Sequence, residues 1–459
     1  MNKYILNKFT FYVFLYFVTG AIVASIFILA PFPRNDFPVL RVFIIIFATI
    51  LLVKYFVYMI LAPWYDVAMK SQEVRFSDKK TGRYNPKVSV IIPAWNEEVG
   101  LLNTVKTILK SAYTNVEIMV INDGSTDNSD AIMRDFVARY ESSQEQKGGP
   151  AITLRYFYIQ NGGKGKALNY GISNATGDII MSIDADCAVL PDTIGNFVKV
   201  FRNPKVMAAV GNVKIGDTKT LLGTLQYLEF LFSFYFKKAE SFVNSIYIIG
   251  GAAGAFRREV FEKIGVYDHT NITEDIELSV RIQNAGMKIV YAADAIVFTE
   301  GAAALGGLIK QRLRWKRGRF QTFNTHKKLF FSADRKHNKV LTWVVLPLAL
   351  FGDLQLFFEL YFVAFLYVYS LATHDFSSFI SGIIVVSAMF FVQIFFEDKS
   401  KKSASLYFLA PIGWLMFYIS TYVEYTALVK SAWGSVTKQK LVWQKWERKG
   451  VSGEVVSTL

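Results

Sequence analysis

Two textures alternate along this chain. Residues 9–30 run for 22 positions without a charge, and residues 42–62 for 21 with only Lys54. Three more apolar runs lie toward the other end. Residues 341–371 carry Asp353 and Glu359, residues 379–396 carry no charge, and residues 406–429 carry Glu424. A helix needs about 20 apolar residues to cross a bilayer, so the pattern predicts two spans before a long mixed region and three after it. The first run is too long for a signal-peptide core, and residues 31–34 offer no small-residue cleavage pattern. The mixed region, residues 86–324, reads as a water-facing α/β domain. Short apolar runs at residues 88–93, 116–122, 152–159, 178–184 and 206–213 suit buried strands. Helical stretches at 98–111, 125–140, 164–173 and 192–201 separate them, with Ser125 an expected N-cap and Asp127 in its first turn. Such alternation predicts a parallel sheet wound by right-handed crossovers, with ligand sites at the carboxyl ends of its strands.

Composition agrees with a membrane protein that has a water-facing part. Of 459 residues, 52% are hydrophobic and 19% charged, against roughly 25% charged in ordinary soluble domains. That much apolar material excludes disorder. The single cysteine, Cys187, excludes a disulfide framework and a multi-cysteine zinc site. The net charge of +14 concentrates beside the spans. Lys3 and Lys8 precede the first, and Lys70, Arg75, Lys79, Lys80 and Arg83 follow the second, which predicts a cytosolic amino terminus and a cytosolic domain. The chain then divides into residues 1–70 (two spans), 86–324 (the domain), 325–430 (three spans) and 431–459 (a basic tail). In that tail Trp433, Trp443 and Trp446 interleave with Lys438, Lys440, Lys445 and Arg448, as in a helix lying among lipid headgroups. Five spans leave the tail outside; a break of residues 341–371 near Gly352 and Asp353 would return it to the cytosol. Ionisable groups inside spans are costly, so Lys54, Glu359 and Glu424 are candidates for lining a channel, while Asp353 sits nearer an interface.

Carboxylates gather where strands should end. Asp123 follows one apolar run, Asp184-Ala185-Asp186 follows another, and Thr273-Glu274-Asp275 opens a helical stretch. Asp184 and Asp186 share a face because strand side chains alternate. Two oxygen ligands there suit Mg²⁺ or Mn²⁺ bound together with substrate phosphates; each aspartate alone would equally suit a turn or cap. The run Gly162-Gly163-Lys164-Gly165-Lys166 lacks P-loop spacing. The basic stretch 312–319 adjoins a span, where cytosolic cations are expected without any nucleic acid.

The ordered set Asp123, Asp184-Ala185-Asp186, Thr273-Glu274-Asp275 and Gln311-Arg312-Leu313-Arg314-Trp315 resembles the processive, membrane-embedded family 2 glycosyltransferases. These include hyaluronan, cellulose, chitin-oligosaccharide and poly-N-acetylglucosamine synthases. The wording INDGSTD, NGGKGKALNYG and KQRLRWKRGR is similar to the bacterial poly-N-acetylglucosamine synthases in particular. The resemblance implies a GT-A-like, Rossmann-type domain between transmembrane helices in the plasma membrane. It implies an inverting, UDP-sugar-dependent polymerase of biofilm exopolysaccharide type that extrudes a β-linked glycan, with UDP-N-acetylglucosamine the best-fitting donor. In that reading Asp123 holds the uridine, and Asp186 binds the metal with help from Asp184. Lys164 and Arg314, with Lys166 as a helper, neutralise the departing UDP, while Asp275, beside Glu274, is the general base. Gln311, Arg312, Trp315 and Gly254 serve the acceptor. The implied partners are the UDP-sugar, the growing polysaccharide, the bilayer and a small membrane subunit. Many relatives carry a proline shortly after the pair at Thr299 and Glu300, where this chain reads Gly301-Ala302-Ala303, so this loop is expected to gate differently. A non-processive transferase acting on a lipid or short acceptor, and a non-catalytic nucleotide-binding regulator, are the alternatives.

Overall fold

A computed structural model describes residues 38–77, 82, 84–145, 152–374, 376–397, 407–437 and 450–451. The expected span at residues 9–30 and most of the basic tail, with Trp443 and Trp446, lie outside the described residues. In chain order the elements are α1 (Pro38–Arg75), β1 (Val88–Ala94), α2 (Leu101–Leu109), β2 (Val116–Asp123), α3 (Ser129–Glu145), β3 (Thr153–Ile159) and α4 (Lys164–Asn174). Next come β4 (Ile179–Ser182), β5 (Cys187–Val189), α5 (Thr193–Phe201), β6 (Val206–Ile215), α6 (Leu221–Phe242), β7 (Gly254–Arg257), α7 (Glu274–Asn284) and β8 (Lys288–Thr299). The chain continues through α8 (Leu305–Thr325), α9 (Leu346–Thr373), α10 (Ser377–Glu397) and α11 (Trp414–Val436).

The expected strands form, but the sheet is mixed rather than parallel. Its eight strands run β3-β2-β1-β4-β7-β6-β8-β5. β1, β2, β3 and β4 pair in parallel, as do β6 and β8, while β7 runs antiparallel between β4 and β6 and β5 runs antiparallel to β8. β1, β2, β4 and β6 are buried along their whole length, which is why they read as unbroken apolar runs. Their aligned register brings the chain segments after β1, β2 and β4 to one edge. Ser125 does not cap a helix: α3 starts at Ser129, and the Ser125 hydroxyl accepts from the Asn96 N–H at 2.9 Å.

Among the described residues one helix, Leu341–Ala372, is long and apolar enough to cross a membrane, with a shorter apolar helix at Ile383–Phe395. A π-helical turn at Leu341–Val345 leads straight into α9, which passes Gly352 and Asp353 without a break. The expected span at residues 42–62 falls within α1, which continues to Arg75. α11 stays beside the domain at both ends. Met416 joins Leu225, Leu228 and Leu231 of α6 in one cluster, and the Gly434 carbonyl accepts from Arg317 of α8.

Residues 450 and 451 return to the domain. Val451 packs on Ala188 and Phe298 of the sheet, its carbonyl accepts from Asn103 at 2.8 Å, and Gly450 N–H donates to Glu300 at 3.1 Å. The loop beyond Glu300 is pinned by a buried side chain. Gln226 clamps Ala302 by accepting from its N–H at 2.9 Å and donating to its carbonyl at 3.0 Å. A proline at this position would lack that N–H.

Candidate active site

Four chain segments meet beyond the carboxyl ends of β1, β2 and β4. Asp123, the last residue of β2, is buried, and its two carboxylate oxygens accept from the N–H groups of Gly162 and Gly163, each at 2.8 Å. Gly163 has φ +89°, a conformation that favours glycine. Asp123 therefore anchors the double-glycine loop that starts α4 at Lys164. Ionised carboxylates offer about four acceptor positions, so capacity remains for a ligand donor.

Lys164 is the hub. Its Nζ lies 2.6 Å from Asp184 Oδ1 and 3.4 Å from Glu274 Oε1. Burial alone would pull this ammonium down, but Asp184, Glu274 and Asp275 outweigh it and hold Lys164 above the ordinary lysine value. Burial pushes the Glu274 carboxyl up, more than the attraction of Lys164 pulls it down. Asp275 points elsewhere in the same cleft. Its Oδ2 accepts from Gly251 N–H at 3.0 Å and its Oδ1 from Ile276 N–H at 2.8 Å. A Cβ on Gly251 would stand 2.3 Å from Lys164 Nζ and 3.3 Å from Asp184 Oδ1. This bare backbone position is what lets the segment approach the charges. Gly254, singled out from sequence, lies instead inside β7, where its Cβ position faces Ile249 and Phe256. Gly251 is the site glycine. Both belong to the small-residue run 250–254, and spacing alone could not separate them.

Asp186 is buried beside Cys187, whose Sγ is 3.6 Å from Asp186 Oδ1. Burial, reinforced by Asp186 and Asp184, pushes the Cys187 thiol up. The described residues contain no group of three His, Cys, Asp or Glu side chains set to hold a metal ion. A cation that keeps waters and substrate phosphates needs only one or two protein carboxylates. Asp186 and the second oxygen of Asp184 fit that demand.

α8 closes the cleft. Gly318 abuts Thr273, and Thr322 Oγ1 accepts from Asn271 at 3.1 Å. Arg314 acts electrostatically on Glu274. Gln311 and Trp315 are half-buried, and the Arg312 guanidinium sits 4.2 Å from the Trp315 ring centroid. Lys166 is exposed, its stem close against Gly162. Each of the three channel candidates has partners of its own. Glu424 is ion-paired to Arg312 and Lys316, Glu359 accepts from Thr421 at 3.0 Å, and Lys54 lies over the rings of Tyr55 and Tyr58.

A mixed α/β sheet with acidic residues at its strand ends, closed by a basic helix, defines a nucleotide-sugar transferase of GT-A-like fold. Residues 86–318 match the family described as "Glycosyltransferase like family 2", so the chain belongs to this family and is a glycosyltransferase. The poly-beta-1,6-N-acetyl-D-glucosamine synthase of Staphylococcus epidermidis is 28% identical over 357 residues, covering 75% of this chain and 83% of its own. The probable glycosyltransferase YdaM of Bacillus subtilis is 30% identical, over 72% of this chain and 71% of its own. The mannosyltransferase PcManGT of Pyrobaculum calidifontis, solved with GDP-Man and Mn²⁺, shares the fold. It has a TM-score of 0.50 and 19% identity, and the match covers 84% of this chain and 99% of that one.

Proposed function

We propose that this enzyme polymerises UDP-N-acetylglucosamine into a β-linked polysaccharide by processive, inverting transfer and passes the polymer across a membrane. The observation that carries this reading is the cluster in which Lys164 Nζ lies 2.6 Å from Asp184 and 3.4 Å from Glu274, while Asp275 accepts from Gly251, whose bare Cα faces Lys164 and Asp184. In the reaction Asp275 takes the proton of the acceptor hydroxyl. That oxygen bonds to the anomeric carbon as the carbon's bond to the UDP oxygen breaks, and UDP leaves with the electron pair. One displacement converts an α-linked donor to a β-linkage without an enzyme nucleophile. Lys164 and Arg314 supply positive charge beside the leaving diphosphate. Asp123, with its remaining acceptor capacity, receives the uracil N–H. Asp186, assisted by Asp184, would hold a divalent cation, which when bound supplies further neutralisation of the diphosphate.

The deciding experiment is incorporation of radiolabelled UDP-N-acetylglucosamine by membranes containing the protein, with GDP-mannose in parallel. Long products cleaved by a β-specific hexosaminidase are expected. Short products alone would end the polymerase reading, and label from GDP-mannose alone would end the assignment of donor. Asp186→Ala is expected to abolish divalent-cation-dependent incorporation, as is excess chelator with the parent enzyme. Full synthesis in chelator would remove the metal from the mechanism.

The docking of Gly450 and Val451 on the domain supports an even number of crossings between the domain and the tail, in place of the outside tail expected from sequence. Thr437 is exposed at the end of α11, and Cys187 is buried. Thr437→Cys is therefore expected to resist an impermeant maleimide added to intact cells and to react after lysis. Labelling of intact cells would restore the outside tail.

A further inference from the structure

α8 is a two-faced helix. One face, through Arg314, Gly318 and Thr322, meets Glu274, Thr273 and Asn271 in turn. The other carries Arg312, Lys316 and Arg319, spaced i, i+4 and i+7 and so aligned in one row. Each is tied to a carboxylate from a different helix. Arg312 pairs with Glu229 of α6 at 2.8 Å and with Glu424 of α11 at 3.4 Å. Lys316 pairs with Glu424 at 2.7 Å and with Asp353 of α9 at 2.8 Å, and Arg319 also pairs with Asp353. Three cations and three carboxylates thus form one continuous neutral chain, Glu229–Arg312–Glu424–Lys316–Asp353–Arg319. Their side chains are 7 to 24% exposed. Removing one member leaves its partners charged and poorly solvated, which is the situation in which an ion pair has large consequences.

The chain does not end at the cations. Arg312 lies over the Trp315 ring, so the carboxylate that orients Arg312 also orients the indole, a contact favoured by the ring's electron-rich face. We propose that Glu424 and Asp353 are positioning residues of the transfer reaction. They fix the rotation and seat of α8, and through it they aim Trp315 and Arg314 into the cleft. This rests on the transferase reading above and gives Glu424 a different task from lining a channel. It also makes the apolar helices α9 and α11 part of the acceptor side of the active site, since each contributes a carboxylate to the seat.

The experiment compares Glu424→Gln, Glu424→Asp and Asp353→Asn in the full-length, detergent-solubilised enzyme. Asp135→Asn, which breaks an exposed pair with Arg139, is the control. Misplacement of about 1 Å can cost about 10²-fold in rate. Glu424→Gln and Asp353→Asn are accordingly expected to lose at least about tenfold in transfer to an added oligosaccharide acceptor, with KM for the donor within about twofold of the parent. Glu424→Asp should regain most of that loss, and Asp135→Asn should match the parent. A second readout does not depend on the donor. With 5-fluorotryptophan incorporated and the residue 315 resonance assigned by its absence in Trp315→Phe, that ¹⁹F signal should shift in Glu424→Gln and return toward its parental position in Glu424→Asp. Parental transfer rates in both neutralised variants would overturn the proposal. So would an equal loss of donor affinity and transfer, which marks general damage. A parent enzyme that turns over no UDP-sugar would sink the donor assignment instead, and an unmoved ¹⁹F resonance would then decide against the positioning role.

Discussion

Asp275→Asn is expected to keep the parental KM for the nucleotide sugar and to transfer at least about 10²-fold more slowly, the lower end of the loss of a general base. The geometry makes this substitution informative. Both carboxylate oxygens are held, one by Gly251 N–H at 3.0 Å and one by Ile276 N–H at 2.8 Å. The side chain is therefore fixed before the acceptor arrives, with lone pairs left over to receive a proton. Asparagine has nearly the same shape but cannot take that proton. It also turns an NH₂ toward one of the two N–H groups, at a cost of about 1–3 kcal/mol for the unsatisfied donor. A modest fall in melting temperature should accompany the kinetic effect. Turnover is read as UDP release with acceptor present, and parental turnover would remove Asp275 from the chemistry. Glu274→Gln makes the useful contrast. Glu274 contacts Lys164 rather than Gly251, so that change should raise the donor KM as well as lower kcat.

How much of this could be read in advance depended on the kind of contact. β1, β2, β4 and β6 were legible because strands buried on both faces are continuous apolar runs. β5 and β7 have three and four residues, too few to show any period, and their antiparallel pairing is a property of the closed sheet. The acidic residues were legible in position, since a strand's carboxyl end opens on the ligand crevice. Their partners were not. Nothing local says that Asp123 accepts from the Gly162 and Gly163 amides, or that Gly251 rather than Gly254 meets the charges. Glu424 and Asp353 show the limit most clearly. A carboxylate in an apolar run is either facing a wet channel or facing a cation. The row of Arg312, Lys316 and Arg319 was visible as a basic stretch, but only the folded chain brings residues 424 and 353 onto it.

Gly318→Ala should cost about as much activity as losing the base, although residue 318 touches no reacting atom. A Cβ there would stand 2.1 Å from Thr273 Oγ1, 2.4 Å from its Cγ2 and 2.7 Å from its Cβ. None of these is the far end of a flexible chain, so α8 or the start of α7 has to move. Alanine favours a helix over glycine by about 1 kcal/mol, but overpacking of this kind costs about 1–3 kcal/mol, and the net effect on stability is small. Position is affected more than stability. Thr273 directly precedes Glu274 and Asp275, and the same helix carries Arg314 and Trp315, so a shift of about 1 Å separates base from acceptor seat and can cost about 10²-fold in turnover. Gly306→Ala tests the distinction in the same helix, since nothing lies within 4 Å of its Cβ position. That variant should melt no lower than the parent and turn over normally. Adding Thr273→Gly to Gly318→Ala removes all three clashing atoms, and glycine is tolerated before a helix's first turn. The double variant should recover a large part of the lost turnover. If Gly318→Ala alone already works at the parental rate, the close seat of α8 on Thr273 does not govern catalysis.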